Sequence, residues 1–155
     1  MKFLNQFSQK IFLIFFQKNN LICFFLILFL FFLDRIVKYK ILNISENDSR
    51  IYINDFINID LVWNTGIGFG LLSSNSNIIY NSISFIIALV IFFLIYLILK
   101  SKMVDKILFS IVLGGALGNF YDRLIFFAVP DFIYLHYQNF HWFTFNIADI
   151  FITVG

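Results

Sequence analysis

The chain has 155 residues, enough for one domain. Hydrophobic residues make up 61% and charged residues 13%, with a mean hydropathy of +0.88, which excludes an ordinary soluble domain and points to an integral membrane protein. A net charge of +2 is too small to imply a nucleic-acid partner.

Where the charge lies is more informative than its sum. Residues 1–20 carry Lys2, Lys10 and Lys18 with no acid, and Lys100, Lys102 and Lys106 stand against Asp105 alone. Residues 34–77 hold four basic and five acidic side chains, and 122–142 hold Arg123 against Asp122 and Asp131. The positive-inside rule puts the first two segments in the cytoplasm and the last two outside.

Residues 1–17 are apolar but broken by polar side chains, which predicts a cytoplasmic or interfacial segment. Leu21–Leu33 is an unbroken apolar run of 13 residues, too short alone to cross a bilayer. It is long enough if the helix covers 18–38. No small-x-small cleavage site follows, so this reads as a retained first span rather than a signal peptide. The single cysteine, Cys23, lies within it, excludes an intrachain disulfide and reads as a buried hydrophobe. Asp34 and Lys38 fall four apart on one helical face, close enough to pair. They read either as an interfacial ion pair ending the span or as support for a site at the outer surface.

Residues 41–70 differ in kind. Ile57, Ile59, Leu61 and Trp63 alternate with Asn58, Asp60, Val62 and Asn64, a period that predicts a strand. Arg50–Ile53 is a candidate partner strand, and Gly66, Gly68 and Gly70 suit a turn or a close backbone approach. The glycines are not a phosphate loop, because the following Lys-Ser/Thr is missing. The expectation is a small extracytoplasmic sheet on the membrane surface.

Residues 78–99 are 22 uncharged residues, a second span. A third is predicted over 104–123, climbing back outward to Asp122 and Arg123. Its Gly114, Gly115, Ala116 and Gly118 remove bulk, which lets helices approach closely in lipid. Residues 127–142 read as an outer loop. Its His136 and His141 are five apart with no third ligand at zinc spacing, so no metal site is predicted. Residues 143–155 begin a fourth span, short of the ~20 residues a crossing needs, and are read as its truncated start.

Ionisable residues in such a setting are costly and functional by default. At a helix rise of ~1.5 Å per residue, Asp34 and Asp122 lie about 24 Å up their spans and Asp149 about 9 Å below the opposite surface. In a hydrocarbon core of ~30 Å all three fall in the outer third. Two adjacent buried carboxylates share one proton, so one can take a proton from water while the other polarises a carbonyl. The expected pair is Asp122 and Asp149, with Asn119, Arg123 and Asn146 orienting it or holding substrate backbone.

At these residues the sequence resembles the lipoprotein signal peptidase (signal peptidase II) family. Four blocks match in order: Asp34-x-x-x-Lys38; Asn64-x-Gly66-x-Gly68-Phe69-Gly70; Gly114-Gly115-Ala116-x-Gly118-Asn119-x-x-Asp122-Arg123; and Phe145-Asn146-x-Ala148-Asp149-x-x-Ile152-x-x-Gly155. Val129-x-Asp131-Phe132 resembles a shorter fifth. The resemblance implies an α-helical integral membrane protein, a single peptidase domain over 1–155, with four transmembrane helices and a small extracytoplasmic β-cradle. It implies an aspartic endopeptidase of the bacterial inner membrane, with its site near the outer leaflet. Catalytic roles map onto Asp122 and Asp149, and supporting roles onto Asp34, Lys38, Asn64, Gly66, Asn119, Arg123, Asn146 and Ala148. The implied partners are membrane lipids and prolipoproteins carrying a diacylglyceryl cysteine, cleaved just before that cysteine, with globomycin-type inhibitors expected. Gly68 stands where the family usually has Ala, and Phe143 near where a Pro is common. Nothing in the sequence calls for a cofactor. The competing readings are a transporter using the carboxylates for ion passage, disfavoured by the lack of an internal repeat, and a structural membrane subunit.

Overall fold

The computed structural model describes residues 16–45, 50–66, 77–138 and 140–155. The interfacial segment expected over residues 1–17 falls almost wholly outside them, as do Gly68, Phe69 and Gly70. Three long helices are α1 (Lys18–Ser45), α2 (Asn77–Lys100) and α3 (Met103–Phe126), and each is long and apolar enough to cross a membrane. A fourth, α4, covers the eight residues Ile147–Val154. The sheet has four strands: β1 (Arg50–Tyr52), β2 (Ile57–Asn64), β3 (Val129–Tyr137) and β4 (Phe140–Phe145).

The outward faces of the helices are greasy. Phe24, Phe25 and Phe29 of α1 and Phe85, Phe92 and Phe93 of α2 are exposed. Inside a bilayer these side chains need no protein partner, while every backbone polar group is satisfied within its helix. The interior is small and includes Cys23, Leu94, Ile98 and Leu113.

Helix α3 is the hub and packs against α1, α2 and α4. Its small residues make that possible. A methyl group on Gly118 would lie 2.5 Å from Asp34 Oδ2 of α1, and one on Gly115 would lie 2.5 Å from the Ala148 carbonyl of α4. Both neighbours are at the backbone or fixed by ion pairs, so only glycine fits. Phe127 then adopts a left-handed conformation (φ 55°), ends α3 and turns the chain into β3.

Two extents differ from those expected. Helix α1 runs on past Lys38 to Ser45, since Tyr39–Ser45 contains no glycine or proline to stop it. Asp34 and Lys38 therefore sit within the helix rather than at its end. The second difference is larger. The stretch read as an outer loop is half of the sheet: β3 pairs with β2 (Asn64 opposite Val129, Val62 opposite Asp131), and β4 returns along β3. The order is β1-β2-β3-β4, antiparallel throughout. Val129–Tyr137 is rich in the β-branched and aromatic residues that fit a pleated surface. Its alternation is hard to see because both faces are apolar. Residues 143–145, read as helix, belong to β4, and α4 starts only at Ile147.

Candidate functional site

Two groups of buried charged and amide side chains lie where α1, α3, α4 and the sheet converge. The first is an ion cage between α1 and α3. Asp34 and Asp122 are fully buried. The Arg35 guanidinium grips Asp122 through both nitrogens: Nη1 donates to Oδ1, and Nη2 donates to Oδ2 at 2.8 Å and to Asp34 Oδ2 at 2.6 Å. Lys38 Nζ donates to Asp122 Oδ2 at 2.7 Å and stands 3.1 Å from Asp34 Oδ1. The cage holds two cations and two anions and is neutral. Arg35 also lies over the Tyr121 ring, 4.9 Å from its centroid.

The second group surrounds Asp131 and Asp149. Asn146 caps α4: its side-chain oxygen accepts from the Asp149 N–H (3.2 Å), while Asp149 Oδ2 accepts from the Asn146 N–H (3.1 Å). The Phe145–Asp149 motif is thus, locally, a capping box. The same Asn146 donates from Nδ2 to Asp131 Oδ1 at 2.6 Å. Asn64, at the end of β2, donates to Asp131 Oδ2 at 2.9 Å and accepts from the Gly66 N–H at 2.9 Å. Asn119 donates to Asp149 Oδ1 at 2.8 Å and accepts from Lys38 Nζ at 2.8 Å. Each carboxylate oxygen of this pair accepts one neutral N–H, and neither aspartate has a salt bridge among the described residues.

Burial pushes the Asp131 carboxyl up to about 6, and the charge on Asp149 adds to the rise. The hydrogen bonds from Asn146 and Asn64 and the charge on Lys38 oppose it without cancelling it. That is how a pair of interacting carboxyls behaves near neutral pH.

Arg123 is buried beside this pair. Its Nη2 donates to the Gly66 carbonyl, while Nε and Nη1 have no partner among the described residues. Tyr80 of α2 faces it and donates to its backbone oxygen at 2.6 Å. Arg123, Asn119 and Asp149 line a cavity of about 290 Å³ between α2, α3 and α4, whose other walls are apolar except for Thr153. Arg123 thus brings a guanidinium with two N–H positions unpaired among the described residues to the wall of this cavity.

The structure therefore separates the residues singled out from sequence. Asn64, Gly66, Asn119, Arg123, Asn146 and Asp149 come together. Ala148 is fully buried against Gly115 and acts by packing. Asp34, Lys38 and Asp122 form the cage. Asp122 was expected against Asp149, but its partners among the described residues are Arg35 and Lys38. The two aspartates sit in different groups, and Lys38 and Asn119 stand between them. Sequence reasoning gave no role to Asp131 or Arg35. Arg35 is a charge inside an apolar helix, a signal in its own right. Asp131 stood in one of the matching blocks, but in a stretch taken for a loop. His136 and His141 sit on the sheet, contacting Asn58 (2.7 Å) and Tyr134 (2.5 Å).

Comparison with known proteins bears on the chain as a whole. A family model described as Signal peptidase (SPase) II matches residues 26–155. A protein of Pelagibacter ubique (strain HTCC1062) named lipoprotein signal peptidase is 48% identical over 140 residues, covering 89% of this chain and 84% of that one. Its namesake in Francisella tularensis subsp. novicida (strain U112) is 43% identical, covering 79% and 78%. Two solved structures, each described as a bacterial membrane enzyme, share the fold. One has a TM-score of 0.74 at 26% identity, covering 85% of this chain and 80% of its own. The other has a TM-score of 0.63 at 27% identity, covering 85% of both. The chain belongs to the signal peptidase II family and is a membrane protease.

Proposed function

We propose that this protein is an intramembrane aspartic endopeptidase that removes signal peptides from prolipoproteins bearing a diacylglyceryl group on the lipobox cysteine, cutting just before that cysteine. We further propose that Asp131 and Asp149 form its catalytic pair, in place of the pairing of Asp122 with Asp149 expected from sequence. The observation that carries this reading is the double grip of Asn146, which donates from its side chain to Asp131 and from its backbone to Asp149. One residue thereby sets two carboxyls at a common site, with no cation bonded to either among the described residues. Asp122 is instead taken up by two cations, Arg35 and Lys38, which tie α3 to α1.

In this mechanism Asp149, ionised, takes a proton from water as the water oxygen attacks the scissile carbonyl carbon. Asp131, protonated, gives its proton to the carbonyl oxygen. The tetrahedral intermediate collapses, the C–N bond breaks, and the leaving amine takes the proton held by Asp149. The intermediate's hydroxyl returns a proton to Asp131, which restores the starting state. Arg123, through its unpaired N–H groups, holds a substrate carbonyl nearby.

The positive-inside rule puts the Lys100–Lys102 turn in the cytoplasm. The pair then lies towards the extracytoplasmic leaflet of the inner membrane, where a lipid-anchored cysteine is held. Globomycin-type compounds are expected to compete for the same cavity. The test is cleavage of a diacylglyceryl-modified prolipoprotein by purified variants. Asp131→Asn and Asp149→Asn should both lose cleavage while remaining folded. Cleavage by Asp131→Asn together with its loss in a folded Asp122→Asn would return the role to Asp122.

A further inference from the structure

Three asparagines touch the two carboxyls, and an amide can present either its oxygen or its NH2. Presenting oxygen to a carboxylate is repulsive, so something must fix the orientation. For Asn146 it is the Asp149 N–H, and for Asn64 the Gly66 N–H, both backbone donors that come with the fold. For Asn119 it is a side chain, Lys38, whose ammonium can only donate. With the Asn119 oxygen taken by Lys38, its NH2 must face Asp149.

We infer that Lys38 is a positioning residue for the peptidase reaction: it polarises and orients the Asn119 amide so that Asp149 always meets a donor. The inference rests on the proposed role of Asp149 as the carboxylate that receives the proton of water. Lys38 comes from α1 and has no bond to Asp149, so it acts through Asn119. Its charge is balanced locally by Asp34 and Asp122, with Arg35 completing a neutral cage. Orientation of the amide, rather than a bare charge, is therefore its main means of action. The other charged groups facing Asp149 are Asp34 on α1, Arg123 on α3 and Asp131 on β3; α2 contributes Tyr80 against Arg123.

Lys38 has three partners, Asp34 and Asp122 inside the cage and Asn119 outside it. Lys38→Met together with Asp122→Asn removes one charge of each sign and leaves Asp34 with Arg35. In this pair of changes Asn119 is free to turn its oxygen to Asp149, which destabilises the anion. The acidic limb of the kcat profile should then move up by about one pH unit. With the water-activating group less well oriented, kcat should fall about 10- to 100-fold, while KM stays within about twofold. Lys38→Arg, which also only donates, should recover part of the loss.

Asn119→Leu provides a second route that leaves the cage intact, and it should move the acidic limb in the same direction. Adding Asn119→Leu to the paired change should cost little more, because residues acting in series are not additive. The experiment is kcat and KM from pH 5 to 9 for these variants in lipid, with folding checked by thermal melting. An unmoved acidic limb in Asn119→Leu, or full additivity with the paired change, overturns the role of Lys38. Asp149→Asn is assayed alongside. Cleavage by that variant overturns the catalytic reading itself, so the two failures are distinct.

Discussion

The cage between α1 and α3 and the pair between β3 and α4 contain the same chemical group, the aspartate carboxyl, in two different settings. Asp34 and Asp122 are met by Arg35 Nη2 and Lys38 Nζ at 2.6 to 3.1 Å. Asp131 and Asp149 are met by asparagine and backbone N–H groups at 2.6 to 3.1 Å. The distances are alike, Asp149 alone of the four is only partly buried, and the main difference is the charge of the donor. A cation cancels the carboxylate and fixes it as an anion. A neutral amide orients the carboxylate and leaves its charge to be settled with its neighbour. One arrangement holds two helices together, and the other suits the proton exchange proposed for the pair.

The comparison is tested most strongly by removing charge from each group in turn. Asp131→Asn or Asp149→Asn should lower kcat/KM by roughly 10³-fold or more, as loss of a general acid or base does when the two act as a unit. Asp122→Asn leaves both carboxyls in place, so the cleavage it loses should track the fraction unfolded. Initial rates normalised to folded protein separate the two cases. The reverse test is Arg35→Met. It leaves Asp122 with Lys38 alone and should destabilise the protein by about 3–5 kcal/mol, the usual result of breaking a buried ion pair from one side. Thermal melting in detergent measures it, and folded molecules should still cleave.

A third test uses pH. The Asp131 carboxyl is raised from 3.8 to about 6 in the folded chain. Folding therefore favours its protonated form, and the stability that form confers is present below pH 4 and lost as pH rises through 6. Wild type should lose up to about 3 kcal/mol relative to Asp131→Asn across that window. Melting temperatures of both proteins between pH 4 and 7 should diverge in that sense. A constant gap would mean that folding does not favour the protonated form of Asp131.

Much of the scaffold was legible from sequence because lipid imposes a simple rule: long apolar runs make helices, and small residues mark where they touch. The uncharged run from Ile78 to Leu99 leaves little choice, and helix Asn77–Lys100 follows. The depth of Asp34, Asp122 and Asp149 could be read from helix rise. Their lateral grouping could not, because rise says nothing about which helix face meets which. The cost of burying a charge flags the cage and the proposed catalytic pair equally. Counting cations in reach would have told them apart: Arg35 and Lys38 stand at the level of Asp122, while the partners of Asp131 are amides. Asp131 was further hidden by its strand, whose two apolar faces blur the period of two.

The join between the two groups gives the smallest expected effect. Asn119 belongs to α3, Asp149 to α4, and the two helices touch where Gly115 meets Ala148. A methyl at Gly115 would sit 2.5 Å from the Ala148 carbonyl oxygen, a backbone atom that cannot swing away. Gly115→Ala should force α4 outward, at about 1–3 kcal/mol of stability. The 2.8 Å bond from Asn119 to Asp149 lies about one turn further along α3 and would stretch with it. Asp122 lies about two turns beyond Gly115 and is held by Arg35 and Lys38 of α1, so the cage should keep its own bonds. The variant should therefore lose kcat by more than its melting temperature suggests, with KM shifted less. Equal losses in activity and in folded fraction would mean instead that α4 carries Asp149 on a mount compliant enough to absorb the displacement.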